Sequence, residues 1–283
     1  MRVNRLSDAL GAEVVGIDVS DPATYDFDAV HRAWLAHQVL VFRDQSLAPE
    51  DHIAFSRRFG DLEVHLSADH LHPEHSEILL VSTRQENGRY IGAVSAGDYW
   101  HSDLSCQRLP TSASLLYALE MPDVGGDTEW ADMYAAYETL PAATKARIAD
   151  LKGVHTFNRM RNPRVHVPEV HNDDAKMRYG ERSPDDAIHP IIRTHPETGR
   201  KALYVSERFT IGIEGMDDSE AQPLLDELIA HQKRPELIYH HKWTVGDLVI
   251  WDNRCTIHYA CRGFAPGAIR HLHRTSVIGD VPY

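Results

Sequence analysis

Trp100-His101-Ser102-Asp103 sets an imidazole and a carboxylate two residues apart. On a strand, side chains at i and i+2 share a face, so the two groups reach a common ion. A second histidine from elsewhere in the chain would complete two imidazoles and one carboxylate on one triangular face of a metal. Three coordination positions then stay open, as non-haem Fe(II) chemistry requires. One such pair is weak evidence by itself. With 19 histidines in the chain, about one or two pairs arise by chance. His171-Asn172-Asp173 matches the pattern equally well, but it sits in a polar stretch with no apolar strand to hold ligands rigidly. His101 and Asp103 instead follow Tyr99-Trp100 and lead towards an apolar run at Leu115.

The C-terminal part adds weight. Gly246 to Asn253 reads as turn, strand and turn, and Thr256-Ile257-His258-Tyr259-Ala260 follows with a candidate distal histidine. If Ile269 to Val277 is a strand, Arg270, Leu272 and Arg274 share one face, and His271 and His273 take the other. Two arginines on one face behind a candidate metal ligand suit an anion-binding site, because guanidinium pairs bidentately with carboxylate and is always charged.

Positioning such groups needs rigid elements. Short β-branched or aliphatic runs recur at Val14–Ile17, Val39–Phe42, Ile78–Val81, Leu115–Leu119, Leu203–Val205 and Leu248–Trp251, each of strand length. Helical spacing appears over Phe27–Gln38 and Pro49–Phe59, and in the stripe Met133, Ala136, Tyr137, Leu140 that Pro141 interrupts. Ser219 is placed to cap a helix carrying Leu224, Leu225, Leu228 and Ile229. Helices and strands do not alternate regularly, so a β core with helices packed outside fits better than a doubly wound parallel sheet. Two polar stretches, near 83–98 and 158–186, interrupt this pattern and read as lid-like insertions.

Composition bounds the rest. The 283 residues are 42% hydrophobic and 25% charged, enough for one large domain spanning 1–283. The net charge of −13, with no run rich in Lys or Arg, argues against nucleic acid or an anionic membrane as partner. An anionic ligand must then be held by a few placed cations. Three cysteines, Cys106, Cys255 and Cys261, make no disulfide framework, and neither a signal peptide nor a spanning segment is evident, which predicts a cytoplasmic protein.

Taken together, the chain resembles the taurine dioxygenase and 2,4-dichlorophenoxyacetate dioxygenase family of Fe(II)/2-oxoglutarate oxygenases. The resemblance runs from Leu10-Gly11-Ala12-Glu13 through Phe55-Ser56-Arg57-Arg58-Phe59-Gly60, Trp100-His101-Ser102-Asp103 and Gly125-Gly126-Asp127-Thr128. It continues to Trp251-Asp252-Asn253-Arg254, His258-Tyr259 and His273-Arg274. It implies a double-stranded β-helix, or jelly roll, with flanking helices: a mainly β, α+β fold. It implies His101, Asp103 and His258 as iron ligands, with Thr128 and Arg270 on the distal carboxylate of 2-oxoglutarate. It implies O2 as co-substrate, and Arg274 and His65 as contacts to a small anionic substrate. A homodimer or homotetramer is the assembly it suggests. Relatives that halogenate lack the carboxylate ligand, so Asp103 points to oxygenation.

Two departures argue against taurine as the substrate. Gly97 stands where taurine-specific members carry an asparagine, and Ala68 occupies the region of an expected tyrosine. A sulfonate, a sulfate ester, a phenoxyalkanoate and an amino-acid-like carboxylate all stay open as substrates. Two other classes compete with the oxygenase. A zinc hydrolase also uses two histidines and a carboxylate but has no need of the Thr128 and Arg270 pair. A non-catalytic jelly roll would keep the histidines as core residues and use Arg270 for a ligand.

Overall fold

A computed structural model describes residues 1–65, 68–94, 96–165 and 186–283. The polar stretch 158–186 therefore falls largely outside the described residues, and so does the His171-Asn172-Asp173 pair.

Central strands of the sequence are apolar at consecutive positions, which requires burial on both faces. The structure shows how. A seven-stranded sheet runs in the spatial order Arg2–Arg5, Ala12–Val15, Val39–Phe42, Leu248–Asp252, Thr111–Glu120, His271–Ile278, Leu79–Ser82. Every pairing is antiparallel except that of Ala12–Val15 with Val39–Phe42. A three-stranded sheet of Ile238–His241, Thr128–Asp132 and Thr256–Ala260 faces it. Val39, Val41, Leu116, Val249, Trp251 and Leu272 of the larger sheet meet Trp130 and Tyr239 of the smaller one in the interior. The alternate residues Leu40, Phe42, Leu115, Leu248 and Ile250 pack outward against Val30, Trp34 and Phe55. Those three sit on the helices Phe27–His37 and Pro49–Ser56. The smaller sheet turns Ala131 and Ile257 outward against Met133, Tyr134, Leu224 and Leu228. This is the jelly roll with flanking helices.

Element boundaries differ from expectation where backbone chemistry intervenes. The long C-terminal helix spans Asp218–Gln232 with Asp217 as its N-cap, so Ser219 lies inside the first turn. The final strand begins at His271, and Arg270 precedes it, its N–H donating to Thr83 Oγ1 at 2.9 Å. A helix at Ala142–Ile148 follows Pro141, which starts a new element as well as ending the previous one. Among the described residues no helix is long and apolar enough to cross a membrane.

The outer face of the final strand carries a histidine cluster. The His273 ring lies 5.2 Å from that of His271 and 5.4 Å from that of His72, and His52 Nε2 is 3.2 Å from Thr275 Oγ1. Burial pushes His52 down to about 4, and burial with neighbouring rings or Arg84 pushes His273 to about 3 and His271 to about 4. These rings are neutral in the native state and protonate near pH 6.5 when unfolded. Below that pH the unfolded chain binds protons that the native chain refuses. Stability is therefore complete above about pH 6.5 and falls progressively towards pH 4. The loss for His52, which is fully buried, is about 1.4 kcal/mol per pH unit. Urea melts at pH 7.5 and 5.0 should show the lower unfolding free energy at 5.0; equal values would contradict this account.

Candidate metal centre and its anion pockets

His101 and His258 are joined by backbone. An isolated antiparallel bridge pairs them, with N–H to O distances of 3.0 and 2.8 Å in the two directions. The pairing sets their rings 4.1 Å apart between centroids. His101 Nδ1 lies 2.8 Å from the Tyr99 carbonyl, which can only accept, so Nδ1 carries the proton and Nε2 presents a lone pair. His258 turns inward from the smaller sheet, packing 4.8 Å from the Trp251 ring.

Asp103 is not on a strand, contrary to the reading of His-x-Asp as a strand pair. It opens the turn 103–106, and Leu104 has φ +49°. The reason lies in Asn253. Ser102 Oγ donates to the Asn253 carbonyl at 2.7 Å, and the Asp103 N–H donates to Asn253 Oδ1 at 3.0 Å. Side-chain bonds replace a ladder partner, and the carboxylate still converges on the rings. Asp103 Oδ1 is 3.5 Å from His101 Nε2, and Oδ2 is 3.9 Å from His258 Nε2. Donor atoms of the three residues all lie within 4.8 Å of one another, and all three residues are buried.

Both carboxylate oxygens are already oriented. Ser114 Oγ donates to Oδ2 at 2.7 Å and Arg274 Nη1 to Oδ1 at 2.9 Å. Asn253 Nδ2 in turn donates to Ser114 Oγ, and Trp251 Nε1 fixes Asn253 Oδ1. Burial opposes ionisation of Asp103, but Arg274 and the two imidazoles outweigh it and hold the carboxyl well below its usual range. His258 is driven well below the usual imidazole range by burial and by His101. The site thus offers two imidazoles and one anionic carboxylate, a donor set that fits a divalent cation with open positions.

Two cavities share the wall formed by Ala93, Val94 and Ala96. These residues belong to the stretch 83–98. The larger, about 850 Å³ with its mouth, contains His101, Asp103, His65 and Arg274, flanked by Leu79, Phe157 and Phe209. Burial and Arg274 push His65 down to about 3, so its ring is neutral. Arg274 Nε is buried without a hydrogen-bond partner among the described residues. The smaller cavity, about 300 Å³, contains Arg270. Arg270 Nε donates to the Gly126 carbonyl at 2.8 Å. Burial and the nearby Arg262 push Arg270 down to about 10, and among the described residues no carboxylate forms an ion pair with it. Thr128, two residues beyond Gly126, accepts from Trp243 Nε1 at 2.9 Å, which leaves its hydroxyl proton to donate elsewhere. The sequence-predicted residues therefore fall into three groups: His101, Asp103 and His258 together; Arg274 and His65 beside them; Arg270 in the neighbouring cavity, with Thr128 at the start of the smaller sheet's central strand, two residues beyond the Gly126 that Arg270 bonds.

Gly97 has a steric explanation. Its φ is +85°, and a Cβ there would lie 2.8 Å from Ala260 Cβ. Gly97→Asn should therefore fail to install an amine contact and should lower the melting temperature by several degrees. An unchanged melting temperature would show that the loop yields.

A jelly roll that closes two imidazoles and a carboxylate around a common point, beside buried guanidinium groups, defines a mononuclear metal oxygenase of the facial-triad class. The profile of the family described as "Taurine catabolism dioxygenase TauD, TfdA family" matches residues 2–276, and the chain belongs to that family. It is 34% identical over 256 residues to the (S)-phenoxypropionate/α-ketoglutarate dioxygenase of Sphingobium herbicidovorans, covering 90% of this chain and 87% of that one. It is 32% identical over 288 residues to the 2,4-dichlorophenoxyacetate dioxygenase of Cupriavidus pinatubonensis, covering 98% and 97%. A solved taurine dioxygenase from Burkholderia xenovorans superposes with a TM-score of 0.80 at 33% identity, covering 99% of this chain and 90% of that one. The chain is thus an oxidoreductase that depends on Fe(II), 2-oxoglutarate (α-ketoglutarate) and O2. The zinc-hydrolase and non-catalytic readings fall away.

Proposed function

We propose that this dioxygenase oxidises a C–H bond of a small organic anion, with the roles divided among three groups of side chains. His101, Asp103 and His258 hold Fe(II); Arg270 and Thr128 hold the distal carboxylate of 2-oxoglutarate; Arg274 and His65 receive the substrate. The observation that carries this reading is the convergence of three buried donors within 4.8 Å, one of them hydrogen-bonded to Arg274.

With its cofactor and co-substrates bound, the site couples loss of CO2 from 2-oxoglutarate, giving succinate, to insertion of one oxygen atom of O2 into the C–H bond. The protein's share is orientation and exclusion of water. Ser114 and Arg274 fix both oxygens of Asp103, so the carboxylate does not need to reorganise. Among the described residues no carboxylate pairs with the buried cation Arg270, and a 2-oxoglutarate carboxylate supplies one. An anion in the larger cavity meets the guanidinium of Arg274, while His65, neutral, donates without adding charge. Phe157, Phe209 and Leu79 accommodate an apolar body. The phenoxyalkanoate names of the two relatives agree with such a substrate. Hydroxylation beside an ether or sulfate-ester oxygen would then release two products. The three free thiols suit the cytoplasm, where we place the protein.

The test is a panel of phenoxyalkanoates, alkyl sulfates and sulfonates scored by substrate-dependent succinate formation. Arg274→Ala should raise KM for the best member about 30-fold or more, the scale of a lost buried charge contact. Turnover of 2-oxoglutarate without substrate should survive. Unchanged substrate kinetics would remove Arg274 from the substrate site.

A further inference from the structure

A second group of potential metal ligands lies outside the triad. Glu129 is paired across the smaller sheet with His240 on one side and Tyr259 on the other. Asp127 lies two residues before Glu129, and Cys261 directly follows the strand Thr256–Ala260. The Cys261 N–H donates to the Asp127 carbonyl at 2.9 Å. Ligand atoms of Glu129, His240 and Cys261 lie within 4.8 Å of one another. His240 Nε2 is 2.8 Å from Asp127 Oδ2, and its Nδ1 is 3.1 Å from Glu129 Oε1.

We propose that Glu129, His240 and Cys261 form a binding site for a borderline-soft divalent cation of the Zn(II) class, separate from the oxygenase iron, with Asp127 holding the other nitrogen of the His240 ring. The donor set is the reason. One sulfur, one imidazole nitrogen and the Glu129 carboxylate, with a fourth position left for water, suit tetrahedral Zn(II) or Co(II), whereas Mg(II) and Ca(II) favour all-oxygen sites. The charge balance is the second reason. Carboxylates only accept, so an imidazole bonded to both at once must carry a proton on each nitrogen. The two carboxylates thus gather a positive charge, and His240 is raised in pKa accordingly, its burial being outweighed by those two bonds. The nearby cation Arg262 is paired with Asp98. A dication supplies the charge as the imidazolium does, and in addition accepts the Cys261 thiolate, which burial and the two carboxylates otherwise keep protonated, with a pKa of about 11. His240 is half-exposed, which leaves the ion a route in. Cys261 also lines the cavity that holds Arg270, so the site borders the proposed 2-oxoglutarate pocket.

The experiment removes the triad from consideration. Full-length His101→Ala/His258→Ala protein, stripped with chelator, is titrated with Co(II) at pH 8. One equivalent should bind and give a thiolate-to-cobalt absorption in the near ultraviolet. Adding Cys261→Ser should abolish that band, and adding His240→Ala should weaken binding at least tenfold. No bound cobalt, or a band that persists with Cys261→Ser, overturns the proposal. Should the double variant fail to fold, equilibrium dialysis of the Fe(II)-loaded wild type against Zn(II) takes its place. Because zinc can also replace iron at the triad, the wild type should bind one zinc per chain more than Cys261→Ser; equal zinc in both proteins overturns the site.

Discussion

Asp103→Asn should abolish Fe(II) binding at micromolar metal and lower substrate-dependent succinate formation about a thousandfold or more, the scale seen when one preorganised charged group is lost from a reacting centre. The substitution is nearly isosteric, so the consequences follow from charge. The amide offers only one oxygen where Ser114 and Arg274 each donate to a carboxylate oxygen. Its NH2 group then faces either the Ser114 hydroxyl or the guanidinium. Arg274, 8% exposed in its side chain, loses its counter-ion. Leaving one partner of a buried pair uncompensated costs about 3–5 kcal/mol, so the melting temperature should fall too. Separating the two effects requires calorimetry of Fe(II) binding at a temperature where circular dichroism shows native structure. Fe(II) affinity within twofold of wild type would refute the ligand role, whatever the stability.

Arg270→Ala should raise KM for 2-oxoglutarate by about 30- to 1,000-fold, corresponding to roughly 2–4 kcal/mol for truncating a buried charge partner. Affinity for the primary substrate should hold, because Arg270 and Arg274 occupy separate cavities. Arg270→Lys should recover only part of the loss. Lysine restores the charge but not the planar fork, and it loses the Nε bond to the Gly126 carbonyl that aims the group. The direct readout is anaerobic titration of the Fe(II)-loaded protein with 2-oxoglutarate, followed by its visible absorption. A binding curve that superposes on the wild type would remove Arg270 from the 2-oxoglutarate site.

The sequence made the candidate ligands legible because spacing and residue type carry them. His-x-Asp, a later histidine and two same-face arginines are all patterns along a chain. What surrounds them is not. Ser114 and Asn253 decide where Asp103 points, yet they lie 11 and 150 residues away from it. Their only trace was one of the two serines at the start of the strand Thr111–Glu120, and an asparagine in a motif noted for resemblance alone. The misplacement of Asp103 on a strand has the same origin. Strand alternation and a side-chain-pinned turn both bring i and i+2 together, and only the partner tells them apart. The apolar runs showed only a β core with helices packed outside; the jelly roll itself came from the family resemblance. Helix ends were less legible, because Asp217 and Ser219 are both competent caps. The stretch 158–186 carried no periodicity to read.

His258, Arg270 and Arg274 all come from the last few dozen residues, and the strand His271–Ile278 sits inside the large sheet, between Thr111–Glu120 and Leu79–Ser82. During synthesis, therefore, those two neighbours wait with unpaired edges, a state prone to misassembly until the tail arrives. On the proposed assignment, a nascent chain at that stage holds two of the three iron ligands and neither arginine. On that assignment, iron capture waits for the strands that carry His258 and Arg274, and folding itself limits premature oxidation.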